Sequence, residues 1–167
     1  ETPRVENGLA VSDTERDIIK VCVLERHRNT GNTGKGFVRG FGMQRGAIAS
    51  SVGHDSHNII VLGVDDNDMK VAVERLKRTG GGYAAVLDGK VLAELPLPVS
   101  GLVSDQPLET VVKRLEDLSQ ATHALGIELD EPFSVLSFLP LTPVPELRII
   151  DTGLFDVKSF QPIDLFI

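Results

Sequence analysis

NIIVLGVDDNDMKVAVERLKRTGGGYAAVLDGKVLAEL, residues 58–95, decides how the chain folds. Its opening run is apolar on both alternating faces, Ile59 and Val61 on one and Ile60 and Leu62 on the other, as in an interior strand covered on both sides. Asp65, Asp66, Asn67 and Asp68 then offer side-chain acceptors to the free amides of a helix start, and their carboxylates suit the positive end of the helix dipole. Met69, Ala72, Val73 and Leu76 follow at helical spacing, Arg75, Lys77 and Arg78 crowd the last turn, and Gly80 to Gly82 supply a terminator. Tyr83–Leu87 and Lys90–Leu95 read as strands joined by Asp88-Gly89, a pair that favours a tight hairpin turn. Strand, helix, strand and returning strand make a βαβ unit with one added strand, and the fold class expected is a layered α/β domain with a mixed sheet and helices packed on it.

Outward from this stretch the signals continue. Residues 17–25, DIIKVCVLE, read as a strand running into the polar, glycine-rich segment HRNTGNTGKG, a loop that should end near Phe37. AIASSV, residues 47–52, is a further strand, separated from residues 58–64 by the short polar stretch GHDSH. Beyond Pro96, Pro98 and Gly101, Asp105 is a candidate cap for a second helix with Leu108, Val111, Val112, Leu115, Leu118 and Leu125 as its apolar stripe, ended by Gly126. The tail from Pro132 is broken by Pro140, Pro143, Pro145 and Pro162, which predicts a strand and irregular segments rather than a helix.

With 17 basic against 24 acidic residues the net charge is -7, a field that repels phosphate backbones and anionic lipid, so nucleic acid and membrane surfaces are poor partners. No stretch approaches the roughly 18 to 20 apolar residues of a membrane span, and the first residues carry no signal-peptide pattern. The single cysteine, Cys22, lies in an apolar run and fits a reducing cytoplasm. The sequence opens on Glu1 rather than methionine, as expected of a piece of a longer protein.

The residues that could carry chemistry gather in HDSHN, residues 54–58. His54, Asp55 and His57 are donors of metal-ligand type, but His54 and His57 are three apart, which in an extended strand sends them to opposite faces, and no metal site is expected in this chain. A second reading makes them hydrogen-bonding or proton-transfer groups at a strand edge, and a third makes the stretch a polar turn. Glu25 and His27, on alternate residues at a strand end, form a candidate pair, and a charged strand end in solvent explains them equally. GNTGKG lacks the GxxxxGK[ST] spacing of a phosphate loop, and Ser50 or Ser51 with His54 lacks the GxSxG elbow of a hydrolase.

Three blocks in order, GKGFVRGFGMQRGAIASSVGHDSHNIIVLGVDDNDMKVAV from residue 34, GGGYAAVLDGKVLAELPLPVSGLVS from residue 80 and DEPFSVLSFLPLTPVPELRIIDTGLFDV from residue 130, closely resemble the carboxy-terminal domain of adenine deaminases of the amidohydrolase superfamily. The resemblance spans about residues 17–160 and implies residues 1–16 as an extension or linker and 17–167 as the domain. It implies a hydrolase in which a separate amidohydrolase barrel of the same polypeptide, absent here, holds a divalent metal (Mn, Fe or Zn) and converts adenine to hypoxanthine and ammonia in purine salvage. This chain, which is not the barrel itself, would then serve assembly and pocket closure and be inactive alone. His54, Asp55, His57 and Asn58 become candidates for the surface facing the barrel mouth, with Ser51, Glu25 and His27 as weaker substrate-binding candidates. A stand-alone purine or small-molecule binding or regulatory module is the alternative, although Tyr83 is the one tyrosine and tryptophan is absent. A structural, homo-oligomer-forming domain is the third reading.

Overall fold

Each element forms for a local reason, and the computed structural model describes residues 2–166. Asn7 and Gly8, both at positive φ, turn strand β1 (Arg4–Glu6) back on β2 (Leu9–Val11). Strands β3 (Ile19–Leu24), β4 (Thr33–Val38), β5 (Ala47–Ser50) and β6 (Ile59–Gly63) follow. Helix α1 (Asp66–Thr79) starts on Asp65, whose carboxylate accepts from the amides of Asn67 and Asp68, and ends on Gly80 in the left-handed region. Asp88 and Gly89, at φ 51° and 73°, join β7 (Gly82–Leu87) to β8 (Lys90–Pro96). Helices α2 (Leu108–Ala124) and α3 (Pro132–Phe138) precede a three-stranded meander of β9 (Leu147–Ile150), β10 (Gly153–Asp156) and β11 (Gln161–Ile163).

Six strands make the main sheet, in the order β4-β3-β6-β5-β7-β8. The layered α/β arrangement read from the sequence is present, with β6 fully buried near its middle. Every neighbouring pair is antiparallel, so the sheet is not mixed at the level of adjacent strands. The reason is that the βαβ unit is split: β6 and β7 run the same way, but β5 is inserted between them and opposes both.

Alternation sorts the sheet's side chains into two cores. Ala47, Ala49, Ile59, Val61, Ala84 and Val86 face α1 through Met69, Ala72 and Leu76, the alanines letting the helix approach closely. On the opposite face Val21, Val23, Ile48, Ile60 and Leu62 meet Leu118 and Leu125 at α2, Leu136 of α3 and Ile149 of β9. Full burial of an aliphatic side chain stabilises by about 1.5–3 kcal/mol, so these residues supply the main driving force for the fold.

Three local expectations are corrected. The loop after β3 ends at Asn32, not near Phe37, because Gly34 and Gly36 are strand residues placed where another backbone comes close. A Cβ on Gly34 would lie 1.8 Å from the Ile150 carbonyl oxygen, and one on Gly36 would lie 3.0 Å from the Ile149 side chain. Asp105 does not cap α2: Pro107 holds that position without a side-chain bond, while Asp105 accepts from the Gln106 side chain. The stripe of α2 also divides, Leu118 and Leu125 being buried while Leu108, Val112 and Leu115 are exposed. The tail does contain a helix, α3, since Pro132 stands in its first turn, where a missing amide proton costs nothing.

Candidate functional site

The antiparallel order brings the C-terminal ends of β3, β5 and β8 and the N-terminal ends of β6 and β7 to one end of the sheet. Three connections meet there: residues 25–32 after β3, residues 51–58 between β5 and β6, and residues 97–104 after β8. All the candidate residues read from the sequence lie in these connections or at their borders.

His54 donates its backbone amide to the Ser137 carbonyl at 2.9 Å, which docks the 51–58 connection on α3. Its ring stacks on Phe138, centroids 5.5 Å apart, and meets the His57 ring edge-on at 5.6 Å. His57 takes φ 51°, closing a turn in which its amide donates to the Gly53 carbonyl and its Nδ1 accepts from the Gly53 amide at 3.4 Å. With Nδ1 an acceptor, the proton of the neutral ring belongs on Nε2. Burial, then the neighbouring His54 ring and Arg26 guanidinium, lower the His57 pKa below its ordinary 6.5 despite an opposing pull from Asp55, so the neutral ring predominates at pH 7. Asp55 is exposed, whereas Asn58 is buried and its Oδ1 accepts the Arg26 amide at 3.3 Å.

Glu25 and His27 stand side by side but are engaged separately. The Glu25 carboxylate accepts from the amides of His27, Arg28 and Thr30, the last at 3.1 Å, and these bonds hold its pKa down to about 2. It organises its own loop as a fixed anion rather than waiting as a base. The His27 Nε2 lies 2.7 Å from the Ser56 carbonyl, tying that loop to the histidine turn. Ser51 has no exposed surface: its Oγ donates to the Gly101 carbonyl at 2.6 Å and accepts the Gly82 amide at 2.7 Å. Placed so, it joins the sheet end to the 97–104 connection and does not face a ligand.

Two residues that sequence reasoning passed over complete the arrangement. Arg26 spans the gap between loops, with Nε donating to the His57 carbonyl and Nη2 to the Ser100 carbonyl at 2.8 Å. Its guanidinium lies against Gly101, where a Cβ would come within 2.8 Å of it. Phe138 is about half exposed and forms the shelf under His54. The signal for Arg26 was a cation directly between Glu25 and His27 at a strand end; Phe138, inside the apolar run 133–141 beside Phe133, carried no signal of its own.

Among the described residues no group of three or more His, Cys, Asp or Glu side chains could hold a metal ion, and His54 and His57 direct their rings to each other and to Phe138. The end of the sheet thus offers ring nitrogens and one free carboxylate for hydrogen bonding, but no donor set for a cation. No helix among the described residues is long and apolar enough to cross a membrane.

Comparison with known proteins agrees with the resemblance read from the three sequence blocks. The family model described as the adenine deaminase C-terminal domain matches residues 1–161. Proteins named adenine deaminase from Desulfatibacillum aliphaticivorans, Methanothrix thermoacetophila and Gluconobacter oxydans are 55%, 56% and 53% identical over 96%, 98% and 93% of this chain. The matched part is 28%, 29% and 28% of those proteins, so the chain spans under a third of the length of the relatives it matches. It belongs to the adenine deaminase C-terminal domain family.

Proposed function

We propose that this chain is the C-terminal part of a metal-dependent adenine deaminase of the amidohydrolase superfamily, acting in cytoplasmic purine salvage. The reaction is adenine plus water to hypoxanthine plus ammonia. The observation that carries this reading is a match along nearly the whole chain to under a third of each relative. The larger remainder is the place for the barrel, its divalent metal and the metal-activated water. Residues 1–16 lead from that part into this domain.

In this reading the end of the sheet bearing His54, Asp55, His57 and Asn58 faces the barrel mouth and closes the adenine pocket. Three features favour it. His57 is predominantly neutral at pH 7 and carries a donor on Nε2, as a group bonding an uncharged heterocycle should. Asp55 remains free to accept, and Arg26 braces the turn from behind through the His57 carbonyl.

The test is His57→Ala in the complete enzyme. Loss of one polar contact to a bound substrate lowers kcat/KM about tenfold or more, while the urea midpoint stays within about 0.5 M of the parent. Unchanged kcat/KM at unchanged stability would remove the pocket role.

A further inference from the structure

The α1 side of the main sheet is only half covered. Helix α1 packs over β5, β6, β7 and β8, and beyond it the face of β3 and β4 is bordered by the β1–β2 hairpin and by residues 165–166. On that face Lys20, Cys22 and Leu24 lie opposite Phe37, Lys35 and Thr33 in register. They form the floor of a groove of about 700 Å³. One wall is α1, through Met69, Lys70 and Val73, the other is the β1–β2 hairpin, through Leu9 and Val11, and Leu165 and Phe166 line it as well. Two anchors at its base hold the hairpin over the sheet: the Ser12 hydroxyl donates to the Gly63 carbonyl at 3.0 Å and accepts the Lys20 amide at 2.9 Å.

The lining is largely apolar, with three carboxylates and three lysines. Its three carboxylates are already engaged, Glu6 with Arg4, Asp66 with Lys20 and Glu74 with Lys77. Lys35 and Lys70 have no ion-pair partner among the described residues. The groove therefore calls for an apolar occupant with acidic side chains at its border.

We propose that this groove seats the catalytic part of the same polypeptide, through an apolar segment flanked by Asp or Glu. The proposal rests on the two-part reading above and says which face of the domain the larger part meets. Three observations choose the occupant. The matched region is 28% of the Desulfatibacillum relative, so in the two-part reading a much larger body is joined to this domain. The hairpin that walls the groove is the first described element, so chain arriving from an N-terminal part is delivered beside it. Leu24, in the floor, leads directly into Glu25–His27, so a body lying along the groove also reaches the histidine end of the sheet. A second copy fits less well, since two concave grooves facing each other across a two-fold axis leave each other unfilled.

Cys22 is a built-in probe, half-buried in the groove floor. In the complete enzyme its alkylation by N-ethylmaleimide is followed by mass spectrometry of the Cys22 peptide, in the native protein and in a Lys35→Glu, Lys70→Glu variant. Both lysines are exposed, so the fold tolerates the change, and a matching urea midpoint verifies it. Charge reversal at the border is expected to release the seated segment and speed labelling about tenfold or more. The loss of the Lys35 charge beside the thiol acts in the opposite sense, which makes the expected gain a lower bound. Equal rates in the two proteins would overturn the proposal. Native protection that grows with protein concentration would give the groove to a second copy, and protection lost on dialysis would give it to a small ligand, each overturning it too. Adenine turnover of the same native preparation tests the two-part reading separately: an active enzyme with equal Cys22 rates loses the groove alone, and an inactive one loses the reading.

Discussion

Ser51→Ala tests how the candidate site is held, because one buried hydroxyl joins its connections to the sheet. The Ser51 Oγ accepts the Gly82 amide at 2.7 Å and donates to the Gly101 carbonyl at 2.6 Å, with both glycines buried. Alanine removes both bonds and offers no replacement, and leaving each buried group unpaired costs roughly 1–3 kcal/mol. Because both orphans border the same small void and can shift together, the loss should fall at about 2–4 kcal/mol rather than at the full sum. With a urea slope of about 1–3 kcal/mol/M, the midpoint falls by about 1 M or more at unchanged slope. The damage should be directional, since Gly101 supports the Arg26 guanidinium and Arg26 holds the His57 carbonyl. Amide hydrogen exchange in residues 53–58 and 99–103 should quicken before that of β6. A loss below about 0.5 kcal/mol, or uniform quickening, would refute the claim that this hydroxyl organises the site.

Two further perturbations address other parts of the account. Gly34→Ala should cost about 3 kcal/mol or more and free β9 and β10 to exchange, because the new methyl meets backbone atoms that cannot turn aside, whereas Gly36→Ala meets only side-chain ends and should cost about 1 kcal/mol; equal effects would contradict the packing described. The Glu25 carboxyl should titrate in the folded protein near 2, well below the ordinary 4.5, as read by its carbon-13 shift. A folded pKa below the unfolded one stabilises the folded loop above about pH 4.5 and ceases to do so as the pH falls through about 2, so order in residues 25–32 should be lost across that window. A midpoint near 4.5 would show that the carboxylate does not hold its loop.

How much was legible in the sequence follows from the range over which each signal acts. Helix α1 carries its own start, periodicity and stop, so residues 58–95 sufficed to place it and the β7–β8 hairpin. Strand β4 was hidden because glycine reads as loop, while here Gly34 and Gly36 answer to backbone and side chains more than a hundred residues further along the chain. Helix α3 was hidden because proline reads as a breaker unless its place in the first turn is known. At the site, polarity inside an apolar run marked the histidine stretch, and the ordering of Glu25, His27 and Ser51 around it was out of reach. Ser51 was a ligand candidate by residue type, yet its partners are Gly82 and Gly101, and the bond from Arg26 to Ser100 crosses 74 residues. Such contacts depend on which strand ends meet, and that depends on β5 entering between β6 and β7.

In the proposed division of labour, this domain would shape and close a pocket whose metal and water belong to another part of the polypeptide. The most direct test is hypoxanthine formation from adenine with added divalent metal, by the 167-residue chain alone and by the complete enzyme, with bound metal assayed in both preparations. No turnover and no stoichiometric metal are expected in the chain alone, and turnover with bound metal in the complete enzyme. Metal-dependent turnover by the chain alone would mean that His54, Asp55 and His57 rearrange into a catalytic centre, and the division of labour would be wrong.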